Sequence, residues 1–167
     1  MVIMGIDAST TCTGWSIFND GQLVAHGAIH TKGCDWRAKV MQETMELAAI
    51  MRQYRPTVLY AENVPLKDGK PTLVKLGAVH GMMLSLCAAF HVEPHFLLPN
   101  EWRHPLGLYD GTRKGLERDV LKKKAIEMVN DVFGLTLCWV APKSKRNEDD
   151  EAEAILVAYS QIIQKGV

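Results

Sequence analysis

Three groups of carboxylates stand where elements of regular structure should stop or start. Asp7 ends the run Val2-Ile3-Met4-Gly5-Ile6, where a charged side chain is costly to bury without a partner. Glu62 holds the same place after Val58-Leu59-Tyr60-Ala61. The third group, Glu148-Asp149-Asp150-Glu151-Ala152-Glu153, leads into Ala154-Ile155-Leu156-Val157-Ala158. Asp7 or Glu62 alone reads as a strand meeting solvent, and acids at a helix start are stabilised by its dipole. Glu153 lies past the first turn, where the dipole accounts for it least. Asp150 (i, i+3) and its rival Asp149 (i, i+4) can each project to the same side as Glu153. Clustered carboxylates repel and shift one another's pKa unless a cation joins them. Oxygen donors with no accompanying His or Cys set point to Mg²⁺, with Mn²⁺ as a substitute. Two such ions roughly 3.5–4 Å apart are the usual device for phosphodiester hydrolysis, one activating water and the other stabilising the leaving 3′ oxygen.

The elements that must position these acids can be read around them. Residues 2–7 read as a strand. Trp15 to Phe18 and Leu23 to Ile29 flank the hairpin signal Asn19-Asp20-Gly21, so three antiparallel strands open the chain. Asp35 is placed to cap a helix reaching Tyr54 and closed by Pro56. Residues 57–62 form the fourth strand, 64–70 a polar loop, and 72–90 a buried apolar helix. Pro94 to Leu98 is the fifth strand, and Asn100 can cap a short turn carrying Trp102 and Arg103. A helix over 116–133 stops at Gly134, and the last helix covers about 149–164. On that helix the apolar stripe Ala152, Ile155, Tyr159 and Ile162 lies away from Asp150, placing Asp150 at the rim of the sheet. Strands four and five are each reached through a helix, as in a crossover connection. The expectation is an α/β fold in one domain over 1–167, a five-stranded mixed sheet (three antiparallel strands, then two parallel) flanked by helices.

The matching segments, in order, are Met4-Gly5-Ile6-Asp7-Ala8-Ser9-Thr10, Gly14, Glu62-Asn63-Val64, Leu76-Gly77-Ala78-Val79-His80-Gly81 and Asp150 to Ala158. Together they resemble the RuvC family of Holliday junction resolvases, particularly the small phage-type members. The resemblance implies a ribonuclease H-like fold and a homodimer packed in part through the 73–90 helix. It implies paired symmetric nicks in four-way or branched DNA, by a two-metal mechanism with two ions per subunit. It also implies four metal-binding acids, which fall on Asp7, Glu62, Asp150 and Glu153. Glu153 replaces the commoner Asp. Cellular members carry an aromatic shortly after the strand-four glutamate, whereas Val64-Pro65-Leu66-Lys67-Asp68-Gly69 has none. The expected location is the cytoplasm of a bacterial cell or of a phage-infected host.

Basic side chains accompany the acids. Arg113, Lys114, Arg118, Lys122 and Lys123 lie on or before the 116–133 helix, Lys143, Lys145 and Arg146 precede the acidic cluster, and Lys67 and Lys70 follow Glu62. Each alone reads as a solvated face, but as a set beside a metal site they read as phosphate contacts. The 19 basic and 19 acidic residues of the 167-residue chain cancel, which alone speaks against a nucleic-acid partner. The average hides opposed parts, since residues 101–146 carry ten basic and six acidic side chains, a net of +4.

A composition of 47% hydrophobic and 23% charged residues excludes collagen and disorder. No apolar run is expected to approach the roughly 20 residues of a membrane span, and the four cysteines read as reduced thiols. Two rival readings are a ribonuclease H acting on RNA–DNA hybrids and an ATP-binding domain of the sugar-kinase and actin type. The latter begins similarly but needs a second domain and a Gly-rich adenosine loop.

Overall fold

Alternation and turn chemistry build a five-stranded sheet in the computed structural model. The structure describes residues 1–9, 11–33, 35–63, 70–109 and 111–166, with the backbone alone for Lys70 and Pro71. Strands β1 (Val2–Ala8), β2 (Cys12–Asn19) and β3 (Gln22–His30) form an antiparallel meander. Asp20 and Gly21 turn β2 into β3 with positive φ at both residues. Helix α1 (Trp36–Tyr54) follows, with the Asp35 carboxylate accepting from the backbone N–H groups of Arg37 and Ala38. Next come β4 (Val58–Glu62), α2 (Lys70–Phe90) and β5 (Glu93–Leu97). The chain finishes with α3 (Pro99–Arg103), a 3₁₀ turn over Lys114–Leu116, α4 (Arg118–Phe133) and α5 (Asp149–Lys165). The sheet order is β3-β2-β1-β4-β5, with β4 and β5 parallel to β1. This is the expected mixed sheet.

Side chains alternate between two cores. One face carries Met4, Ile6, Ile17, Leu59 and Ala61 against α1 and α2, with Leu47, Met51, Val79, Met83 and Cys87 buried between them. The other carries Ile3, Phe18 and Tyr60 against α4 and α5, with Leu121, Ala125, Ile126, Val129, Ile155 and Val157. Helix α5 lies so close to the sheet that two strand positions must be glycine. A Cβ on Gly5 would stand 2.1 Å from the Ala154 carbonyl oxygen, and one on Gly14 would stand 1.9 Å from that of Asp150. Ser16, between them on the same face, donates to the Ala154 carbonyl at 2.9 Å.

Three expectations are corrected. Helix α2 begins at Lys70, which was expected to lie in a loop, and the remaining positions of that expected loop, 64–69, lie outside the described residues. Helix α3 is capped at Leu98 rather than Asn100, because Pro99 supplies a preset first helical residue and Glu101 accepts from the Leu98 N–H at 2.6 Å. The segment Thr72–Phe90, 19 residues of mean hydropathy 1.6, is long and apolar enough to cross a membrane by length and composition. Lys75 and His80 interrupt it without lowering that average enough.

Candidate active site

The acids meet at the carboxyl end of β1 and β4. In the parallel register Ile6 pairs with Ala61, so the next residue on each strand, Asp7 and Glu62, lies at one level. Asp7 pairs across the antiparallel ladder with Gly14. The missing side chain at Gly14 is what lets the first turn of α5 descend onto this spot and deliver Asp150. Glu153 follows one turn later and is buried, while Asp150 stands at the rim with 29% of its side chain exposed.

Two cations are built into the cluster. Arg103 of α3 reaches Glu153 at 2.6 Å and Glu62 at 3.1 Å through one guanidinium nitrogen, and its Cζ lies over the Trp102 ring, 4.2 Å from the ring centroid. The Trp102 indole N–H donates to Glu62 at 2.9 Å. Lys122 of α4 is paired with Asp149, lies 3.3 Å from Asp150, and reaches Glu153 at 3.9 Å.

Charge and burial set the proton affinities. Burial first, then Glu153, Asp150 and Glu62, hold the Asp7 carboxyl well above the usual range, with Lys122 acting the other way. Burial also raises Glu62, against the opposing pull of Arg103, Trp102 and Arg118. Burial would lower the Lys122 ammonium, but Glu153, Asp150 and Asp149 more than reverse this, so it stays charged. Burial and then Asp150 push the Cys12 thiol up, keeping it protonated beside the acids.

Among the described residues, no three His, Cys, Asp or Glu side chains are arranged to hold a metal ion as they stand. Arg103 and Lys122 bridge the carboxylates instead. The donor chemistry still suits a hard divalent cation, because Asp7, Glu62, Asp150 and Glu153 offer oxygen alone.

The other basic candidates separate. Arg118 acts on Glu62, which places it beside the cluster. Lys123 points outward and pairs with Glu127 at 3.4 Å along α4. Arg113 and Lys114 are exposed before α4, and Lys143, Lys145 and Arg146 are exposed on the stretch before α5. Lys67 lies outside the described residues, as does the side chain of Lys70. The expectation placed Trp102 and Arg103 on a short turn without assigning them to the acids. The available signal was that α3 directly follows β5, the parallel neighbour of β4, where Asn63 N–H bonds Leu97 C=O at 2.8 Å. His80 is a packed helix residue, stacked 4.4 Å from Phe96.

No family model matches the chain. Among curated proteins, the crossover junction endodeoxyribonuclease RuvC of Nitratidesulfovibrio vulgaris (strain DP4) is 33% identical over 96 residues, covering 55% of this chain. That match spans 58% of the relative's length. The protein of the same name from Rickettsia massiliae is 24% identical over 172 residues, covering 99% of both chains. Thermus thermophilus RuvC, solved in complex with a Holliday junction substrate, superposes with a TM-score of 0.74 at 18% identity, covering 99% of this chain and 97% of that one. The fowlpox virus resolvase, solved with Holliday junction DNA, gives 0.60 at 14% identity, covering 99% of each. The chain thus shares the fold of the solved RuvC structure, and the curated relatives it resembles are named RuvC crossover junction endodeoxyribonucleases.

Proposed function

We propose that this chain is a metal-dependent, structure-specific endodeoxyribonuclease that hydrolyses phosphodiester bonds in four-way or branched DNA. One observation carries the reading. Asp7 of β1 is surrounded by Glu62 of β4 and by Asp150 and Glu153 of α5, at the place where two neighbouring parallel strands end. Such convergence costs stability, and a hydrolytic site is the chemistry that uses it. The names of the curated relatives and of the structural neighbours support the same reading.

Asp7, Glu62, Asp150 and Glu153 are assigned as ligands of two Mg²⁺ ions, with Mn²⁺ able to replace them. Asp150 is preferred to Asp149 because Asp149 is turned to Lys122, whereas Asp150 acts directly on Asp7. When bound, the ions supply an activated water and compensate the leaving 3′ oxygen. Arg103 holds Glu62 and Glu153 in place, and Trp102 fixes the Glu62 carboxylate by its N–H. Arg118, with Arg113, Lys114, Lys143, Lys145 and Arg146, forms the surface for the phosphate backbone. A homodimer through α2 would present two sites for symmetric nicks. Val74 and Leu84 are apolar and exposed on that helix.

The test is a panel of labelled four-way junction, fork, linear duplex and RNA–DNA hybrid, with and without Mg²⁺. Mg²⁺-dependent nicking confined to the branched substrates is expected. Equal cutting of linear duplex, or cutting of the hybrid alone, refutes the assignment. Asp7→Asn is expected to abolish cutting while junction binding survives.

A further inference from the structure

Lys122 was expected to face a phosphate, yet its ammonium is turned inward. It is paired with Asp149, stands 3.3 Å from Asp150 and 3.9 Å from Glu153, and keeps 14% of its side chain exposed. Its neighbour Lys123 shows what an unconstrained lysine on this helix does, with 54% exposure and a single pair along the helix surface. The difference is rotational. Leu121, Ala125, Ile126 and Val129 bury one stripe of α4 against α5, and Lys122 borders that stripe. Asp149, at the first position of α5 and itself buried, gives the ammonium an anchor that is not needed to surround Asp7.

We infer that Lys122, anchored by Asp149, is a resident counter-cation of the acid cluster, with which an entering divalent ion competes for Asp150 and Glu153. The inference rests on the hydrolase reading above. The Lys122 ammonium among three carboxylates, together with Arg103 on Glu153, keeps them assembled while no metal is bound. The same charge opposes a second cation arriving a few ångströms away, so loading the site must release Lys122 from Asp150 and Glu153. The released ammonium is then free to turn toward a phosphate.

The experiment measures Mn²⁺ uptake by the spin-resonance signal of free Mn²⁺, on wild type, Lys122→Met and Lys122→Arg. Lys122→Met should bind at least about tenfold tighter, a conservative expectation for removing a unit charge roughly 4 Å from the ligands. Lys122→Arg, which keeps the charge, should stay close to wild type. In EDTA, Lys122→Met should melt below wild type, and saturating Mn²⁺ should close that gap. A second measurement needs no variant. In wild type, amine acetylation followed by mass spectrometry should find Lys122 protected without metal and reactive with saturating Mn²⁺, while Lys123 reacts in both states. A wild type that takes up no Mn²⁺ overturns the hydrolase reading and this inference with it. A wild type that binds Mn²⁺, with Lys122→Met no tighter or Lys122 reactivity unchanged by metal, overturns the role of Lys122 alone.

Discussion

Glu43 offers a sharp test of how burial governs this fold. It lies in α1, fully buried, on the sheet face opposite the acids. One carboxyl oxygen takes a hydrogen bond from the buried Thr13 hydroxyl, and the other has no partner among the described residues. Burial, opposed by the Thr13 bond and reinforced by Glu46, pushes its pKa from 4.5 up to about 7. That is ~2.5 decades of proton affinity, and at ~1.4 kcal/mol per decade the ionised folded form carries a penalty of roughly 3 kcal/mol.

The sign follows from the direction of the shift. Below about pH 4 the carboxyl is protonated in both folded and unfolded chains, and the penalty is absent. It grows as the unfolded chain ionises and stands in full above the folded value of about 7. Glu43→Gln removes the ionisation and keeps the shape. Its amide leaves a donor unpartnered, but that cost is the same at every pH. The stability of Glu43→Gln relative to wild type should therefore rise by roughly 3 kcal/mol between pH 4.5 and 8.5, worth about 6–12 °C in melting temperature for a chain of this size. The assay is thermal and urea unfolding followed by circular dichroism across that range, in EDTA. Other titrating groups are common to both proteins and cancel in the difference. Parallel pH profiles for the two would refute the claim that Glu43 is buried at the expense of its charge.

Two further outcomes follow from the packing. Gly14→Ala should cost about 3 kcal/mol or more and abolish cleavage, because its Cβ would overlap the Asp150 carbonyl and push α5 off the sheet; unfolding and junction-cutting assays check both effects. Arg103→Met leaves Glu153 and Glu62 without their guanidinium, so it should lower stability by roughly 3–5 kcal/mol at pH 8. That loss should shrink toward pH 5 as the Glu62 carboxyl, raised by burial, takes up its proton, and a melt of equal deficit at both pH values would contradict it.

Much of the site was legible because strand ends are legible. Alternation marks where β1 and β4 stop, and a parallel register then sets Asp7 beside Glu62 with no further information. Asp149 and Asp150 were not separable by periodicity, because a helix fixes only the angle between neighbours and not its rotation over the sheet. That rotation is set by Gly5, Gly14 and Ser16, contacts that join residues more than 130 positions apart. Lys122 was misplaced for a related reason. Its charge suggested a solvent-facing residue, while its position beside the Leu121, Ala125 and Ile126 stripe pointed inward. Glu43 carried no local signal, since a single acid in an amphipathic helix ordinarily faces water.

The seating of α5 also decides how the site can be lost. From Glu151 to Ala158 every residue of that helix is buried, and its backbone is keyed to β1 and β2 through Gly5, Gly14 and Ser16. Such a segment has no opening motion of its own, and its amides exchange with solvent only when the whole sheet comes apart. The carboxylates at its start therefore share the fate of the entire cooperative unit. The spacing of the acids is thus held by the folded unit itself, so the site stays assembled for as long as the protein is folded.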